Sequence, residues 1–319
     1  MTNAQTAAAR PASATLPHAA VAPLVYIKLM LVALLWGGTF IAGRIVAQVL
    51  PPMTAATGRF AIAASLLVLL TLKTEGRLPR LRRSQMLSTF ALGLTGIFTY
   101  NICFFAALSH MPAGRTALFV ALNPIVTALA LAALFGERLG KVKWAGIVMA
   151  FCGASIIITR GDLAGAVHDI SQSLGVGELL MLCAITSWAA YTIIGRFVLK
   201  DLSPLVATTY AALWGLALLA CGATFELPSL HAEMFSWKVL CALAYLGIFG
   251  TVIGFVWYYE GVKAVGSSRA AVFNNLVPVF GIILAGVLLG ETILASMVIG
   301  GVIAIAGVAL TNRRATVRQ

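Results

Sequence analysis

Charge is what this sequence has least of. Of its 319 residues only 10% are Asp, Glu, Lys or Arg, against roughly 25% in an ordinary soluble domain. So few charges cannot cover a water-exposed surface, which excludes a soluble globular fold. Acidic residues are scarcest, ten in all, and none falls in the middle of an apolar run. A carboxylate proton relay at mid-membrane depth therefore has no candidate, and Glu260, near a helix end, comes nearest. Histidine and cysteine are thin and scattered. His18, His110, His168 and His231 lie more than fifty residues apart, and Cys103, Cys152, Cys183, Cys221 and Cys241 sit singly in apolar segments with no CxxC spacing. That excludes a metal centre and leaves the cysteines as small packing residues. No GxGxxG opens a βαβ unit and no GxSxG elbow is present. Residues Gly136 to Val142 superficially resemble a phosphate loop, but are one residue short between the glycines and lack Ser or Thr after Lys141. No cofactor is implied, ATP-driven chemistry is excluded, and no catalytic residue is nominated. An intramembrane enzyme or a channel stands as the rival class; the enzyme would need catalytic groups clustered at depth, which ten scattered acids do not supply.

What is present in excess is apolar length. Hydrophobic residues make up 61% of the chain and the mean hydropathy is +0.98. Runs of about 20 apolar residues, the length that crosses a bilayer, recur throughout. They predict an all-α polytopic membrane protein with ten transmembrane helices, near 26–49, 53–72, 86–109, 116–135, 144–159, 178–198, 205–224, 237–259, 269–290 and 293–311. Residues 1–24, rich in Ala, Pro and Thr with Arg10 as their one formal charge, read as a disordered tail. The run from Tyr26 is too long for a cleaved signal and stays as the first span.

The formal charge of +12 is a matter of topology, since it does not gather into a nucleic-acid-binding face. Lys73, Arg77, Arg80, Arg82 and Arg83 form the densest basic cluster, which puts the 73–85 connection in the cytoplasm. With ten spans, 17 of the 22 Lys and Arg then fall on that side and five on the other. Both termini are cytoplasmic in this reading, 312–319 is a basic cytoplasmic tail, and 161–177 is a loop on the opposite face.

The chain also repeats itself. Trp36 to Arg44 reads WGGTFIAGR, and 152 residues later Trp188 to Arg196 reads WAAYTIIGR; Pro52 pairs likewise with Pro204. Further on the offset is 154, and from 115 to 153 12 of 39 paired positions are identical, Arg115, Pro124, Gly136 and Glu137 matching Arg269, Pro278, Gly290 and Glu291. Five helices per half is an odd number, so the second half (178–311) enters the membrane upside down relative to the first (25–160). Inverted repeats of this kind form carriers that rock around a midplane site; a duplicated stable scaffold is the plainer alternative.

An early Trp in each half, a Pro opening the second helix followed by Arg59, and Arg-x-Ala…Pro…Gly-Glu leading into a glycine-patterned last helix resemble the EamA-type proteins of the drug/metabolite transporter superfamily. The likeness runs over residues 26–311. It implies a ten-helix exporter of the bacterial inner membrane, its cavity lined by the first four helices of each half. It also implies substrates such as amino acids, their precursors or amphipathic drugs. The repeat partner of Arg59 is Ala211, so any role of that arginine is not duplicated.

Polar groups at mid-helix depth should face the bundle interior. Asn101, Asn123, Asn274 and Asn275 are the leading substrate contacts, because an amide both donates and accepts; hydrogen bonding between helices explains them equally well. Thr39, Trp36, Trp188, Tyr100 and Tyr191 complete the candidate wall, whereas Trp257, Tyr258 and Tyr259 fit an interfacial belt better. Arg44 and Arg59 either form a cationic patch for a carboxylate or snorkel outward. Pro124 and Pro278, inside the fourth helix of each half, are expected to kink it as paired gates. Glu137 and Glu291 are expected to cap the last helix of each half. Gly146, Ala150 and Gly153, matched by Gly300, Ala304 and Gly307, make small faces for the core bundle or for a homodimer. The expectation is a secondary carrier for a small neutral or zwitterionic metabolite in a lipid bilayer.

Overall fold

The structure, a computed structural model, describes residues 23–136, 139–162, 175–265, 270 and 273–311. The tail calls at 1–22 and 312–319, most of the 161–177 loop, Glu137 and Arg269 lie outside the described residues.

Among the described residues the chain is helical without strands. In order come α1 (Pro23–Ala47), α2 (Pro52–Glu75), α3 (Arg83–Leu92), a π-helical segment (Gly93–Thr99), α4 (Tyr100–His110), α5 (Ala113–Val120), α6 (Asn123–Phe135) and α7 (Lys141–Ile158). Then follow α8 (Val176–Val198), α9 (Pro204–Ala223), α10 (Trp237–Gly247), a second π-helical segment (Ile248–Ile253), α11 (Gly254–Val265), α12 (Leu276–Leu289) and α13 (Ala295–Thr311). Eight continuous stretches are long and apolar enough to cross a membrane, and α12 and α13 are shorter apolar helices. The chain is thus a polytopic helical membrane protein. Helix α1 already includes Pro23 and Leu24, two residues of the expected tail.

Start and stop signals are local. Pro52 and Pro204 occupy first turns, where a missing N–H costs nothing. Gly76, Gly136 and Gly290 end α2, α6 and α12 with φ of 73°, 65° and 66°, a left-handed turn that only glycine takes without strain. The fourth span runs on from Ala113 to Phe135 but is interrupted at Ala121–Leu122, two residues in tighter turns that join α5 to α6 just ahead of Pro124. Pro124 therefore sits in the first turn of α6, and Pro278 in the first turn of α12. Each interruption lies directly ahead of a proline, where the missing N–H and the crowded carbonyl disturb a helix, as the expected kinks require.

Packing is inverted relative to a soluble protein. Val287 and Val302 are 75% and 63% exposed, while Asn101, Thr209, Thr251 and Glu178 are buried, the distribution of a chain whose outer solvent is lipid. Lipid tails are as apolar as leucine, so helices adhere through close van der Waals contact at small residues. The α7–α13 pair shows this: a Cβ on Gly146 would lie 2.6 Å from the Gly307 carbonyl oxygen, and one on Gly300 2.6 Å from that of Gly153. The small faces are consumed within the chain, which withdraws them as a homodimer contact. The main core joins Phe104, Phe105 and Leu108 of α4 to Ala55, Ala56, Ala63 and Ala64 of α2 and to Ala207, Ala211 and Ala212 of α9.

Candidate functional site

The helices enclose a cavity of about 490 Å³, within the range of about 300–1,000 Å³ that holds small organic ligands. Its wall takes in Trp36, Thr39, Arg59, Tyr100, Asn101, Asn123, Pro124, Trp188, Tyr191, Asn274 and Asn275. Residues nominated from scattered positions on six helical stretches are thus brought around one space. Pro278 does not line it, although its neighbour Val277 does.

The π-helical segments explain how the polar part is held. A π turn widens the backbone by one residue and is often found at functional sites. Asn101, just past the first segment, donates from Nδ2 to the Ile97 carbonyl at 2.8 Å. That bond fixes its amide so that Oδ1 accepts from Arg59 Nη1 at 3.0 Å. Thr251, in the second segment, donates to the Leu246 carbonyl at 3.0 Å and accepts from Arg59 Nε and Nη2 at 3.3 and 3.2 Å. Trp36 Nε1 donates to the Gly250 carbonyl at 3.1 Å, and Ser187 Oγ donates to that of Thr95 at 2.8 Å. Arg59 is therefore clamped between the two π segments by neutral partners, only 9% exposed.

This decides the reading of the arginines. Arg59 does not snorkel, and it forms no patch with Arg44, whose guanidinium donates to the Leu108 carbonyl at the far end of α4 and which does not line the cavity. Among the described residues Arg59 is the only charged group on the cavity wall.

The apolar wall is aromatic. Trp188 lies 5.1 Å, centroid to centroid, from both Tyr100 and Tyr191, and Tyr100 stacks on Phe104 at 5.8 Å. On the opposite side Trp36 meets Phe255 at 5.8 Å and Tyr258 at 5.3 Å. Tyr258 is thus a buttress of the wall rather than part of an interfacial belt, and its hydroxyl accepts from Asn274 Nδ2 at 3.3 Å. Trp257 has Lys28 Nζ 5.9 Å from its ring, and Lys28 pairs with the half-exposed Glu260 at 2.7 Å. That pairing takes Glu260 away from the cavity. Asn123 Oδ1 is buried with no protein partner.

Three carboxylates have roles that sequence reasoning misses or misassigns. Glu291 caps no helix of its own; its oxygens accept from Ala113 N and Gly114 N at 2.8 and 3.0 Å, holding the start of α5. Pro112, ahead of α5, offers no side-chain cap, so the orphan N–H groups take a carboxylate from elsewhere. Glu226 does the same for α2, accepting from Met53 N, Thr54 N and Thr54 Oγ1 at 3.1, 2.7 and 2.7 Å. Glu178, buried at the start of α8, pairs with buried Arg115 at 2.9 Å, and Arg115 also donates to the Ile158 carbonyl. Arg115 and Glu178 stand at helix starts 63 residues apart. Nothing in their spacing announces the pair.

A helical membrane protein closed around one polar and aromatic compartment is the class that this geometry defines. The chain belongs to the EamA-like transporter family, whose model matches residues 23–159 and again 175–313. Among its relatives, an uncharacterized transporter of Bacillus subtilis, YyaM, is 31% identical over 89% of this chain and 92% of its own length. A probable terminal-alkyne amino-acid exporter of Streptantibioticus cattleyicolor is 29% identical over 91% and 94%. The uncharacterized inner membrane transporter YedA of Escherichia coli K12 is 27% identical over 82% and 81%. A solved crystal structure shares the fold with a TM-score of 0.63 at 22% identity, over 91% of this chain and 97% of that one.

Proposed function

We propose that the chain is a secondary carrier of small organic metabolites bearing a carboxylate, amino acids and related compounds foremost, which it exports across a bacterial inner membrane. The single observation carrying this is the cavity itself, where the amides and aromatic rings of both sequence halves meet around Arg59. The relative named as an amino-acid exporter favours the same substrate class, and the family favours transport over catalysis.

The mechanism in this reading is alternating access by two inverted five-helix halves, with ten spans and both termini in the cytoplasm. Several matched features support the duplication: the family model fits twice, π segments recur at 93–99 and 248–253, and left-handed glycines recur at 136 and 290. A helix break precedes each repeat-related proline. Such breaks are places where the α5–α6 and α12 segments can change angle without breaking ladder bonds, which makes Pro124 and Pro278 gate positions.

The test is counterflow. Proteoliposomes loaded with an amino-acid and metabolite panel should show saturable exchange of labelled substrate. Asn101→Ala and Asn274→Ala should each weaken it at least tenfold, about the loss of one or two hydrogen bonds at the site. Unchanged transport in both variants overturns the site assignment, and non-saturable flux overturns the carrier reading in favour of a channel. The aromatic wall favours efflux of amphipathic compounds as a second reading. Its mark would be transport indifferent to Arg59.

A further inference from the structure

We infer that the cavity selects its substrate by net charge, taking organic monoanions, carboxylates with an apolar or aromatic body and no ammonium group, in preference to zwitterions of the same size. The inference rests on the carrier reading above and departs from it in one respect: among carboxylate-bearing metabolites it ranks compounds without an ammonium group ahead of amino acids.

The argument begins with what does not neutralise Arg59. Its hydrogen-bond partners, Asn101 and Thr251, are neutral. Four of the eight described carboxylates are engaged elsewhere: Glu178 with Arg115, Glu260 with Lys28, and Glu226 and Glu291 with helix starts. None lines the cavity among the described residues. The wall therefore carries one formal positive charge among aromatic rings, aliphatic groups and neutral amides and hydroxyls, where charge is less screened than in water. A buried charge of this kind calls for a partner of opposite sign.

The geometry says what that partner is. A guanidinium has five N–H groups; three are used, one from Nε and one from each terminal nitrogen. One N–H on each terminal nitrogen remains to be offered to a carboxylate. A zwitterion can place its carboxylate there too. Its ammonium group would then stay near the same guanidinium, with no carboxylate among the described wall residues to receive it. Like charges about 7 Å apart at an effective dielectric near 20 cost more than a tenfold loss of affinity. A monoanion carries no such penalty and brings the compartment to neutrality. Trp188, Tyr100, Tyr191 and Trp36 offer ring faces to its apolar body.

Three probes share one phenyl ring and differ in charge: 3-phenylpropionate, L-phenylalanine and 2-phenylethylamine. Binding of each to the purified full chain in lipid nanodiscs at pH 7 is measured by calorimetry. The expected order is 3-phenylpropionate at least tenfold tighter than L-phenylalanine, with no binding of 2-phenylethylamine. Arg59→Gln should bring the first two within threefold of each other, and Arg59→Lys should keep the order at reduced affinity. Equal or tighter binding of L-phenylalanine overturns the inference, as does absence of binding by all three. Should Arg59→Gln fail to fold, the order in the wild type and in Arg59→Lys still decides. Counterflow in proteoliposomes separates the two levels. Tight anion binding without exchange overturns the carrier reading alone, and exchange of zwitterion and anion at equal affinity overturns the charge selection alone.

Discussion

The two ends of the bundle are built differently. At one end α1, α4, α7, α9 and α12 finish while α2, α5 and α8 begin, and polar bonds tie the separate elements together. Glu226 holds the start of α2, Glu291 the start of α5, Arg115 joins Glu178 and Ile158, and Arg44 reaches Leu108. At the other end the cross-connections are looser. Lys28 and Glu260 retain 30% and 52% of their side-chain exposure, and Ser203 meets Glu75 at 3.3 Å on an exposed surface. The cavity is displaced toward this second end. Its lining residues reach Leu131, four residues before α6 stops, and Thr208, four after α9 starts. On α2 the first lining residue, Arg59, lies seven residues beyond the Glu226 cap, a depth of about 10 Å at 1.5 Å per residue. The difference teaches that backbone capping and a buried ion pair tie one end, the sealed one, while the other is joined by exposed side-chain contacts; entry of ligand from that looser end is the expectation that labelling tests.

The largest way to break this comparison is at the buried ion pair. Glu178→Ala leaves Arg115 buried without its counter-charge, and breaking one side of such a pair costs about 3–5 kcal/mol. Thermal unfolding in detergent should register a large loss, whereas the double variant Glu178→Leu with Arg115→Met should recover most of it. A double variant no better than the single one would mean that the pair supplies something other than mutual neutralisation.

A smaller effect is expected at the caps. Glu226→Ala and Glu291→Ala each remove a carboxylate from orphan N–H groups, worth about 0.5–2 kcal/mol. Neither touches the cavity wall, so ligand affinity in the resting state should hold. What should change is access. With the native cysteines removed and Thr208→Cys introduced, an impermeant maleimide should label the wild-type cavity from one face only. Adding both cap variants should let label in from the opposite face. Continued one-sided labelling would show that packing alone seals that end.

Much of this was legible in the sequence, because lipid leaves a chain few options. Eight of the ten apolar runs became helical stretches long enough to cross a membrane and the last two became shorter apolar helices among the described residues, while polar residues rare enough to notice, Asn101, Asn123, Asn274 and Arg59, were drawn to one interior space. The resemblance carried by the Trp36 and Trp188 segments and the Arg-x-Ala…Pro…Gly-Glu order led to the family that the full comparison identifies. The parts that stayed hidden are those set by partners remote in sequence. Glu291 stands two residues past the end of α12, a local position that suits capping of the next helix, yet its acceptors serve Ala113 and Gly114. Arg59 is seven residues into a helix that starts at a surface, which suits snorkelling, yet π turns in other elements offer Asn101 and Thr251. A π turn leaves no mark in hydrophobic spacing, because one widened residue per helix is smaller than the tolerance of the period.

The smallest expected effect sharpens the comparison from the loose end. Glu75 accepts one hydrogen bond, from Ser203, and both groups are exposed; α9 already has a cap in Ser203 itself, whose Oγ accepts from Val206 N. Glu75→Gln should therefore change unfolding by no more than about 0.5 kcal/mol, the range of an ordinary surface substitution. The same exchange at Glu226 removes the charge that faces two backbone N–H groups and a hydroxyl at the sealed end. If unfolding temperatures of the two Gln variants differ by several degrees in that order, the asymmetry resides in the carboxylates. Equal shifts would show that the asymmetry does not reside in the carboxylates.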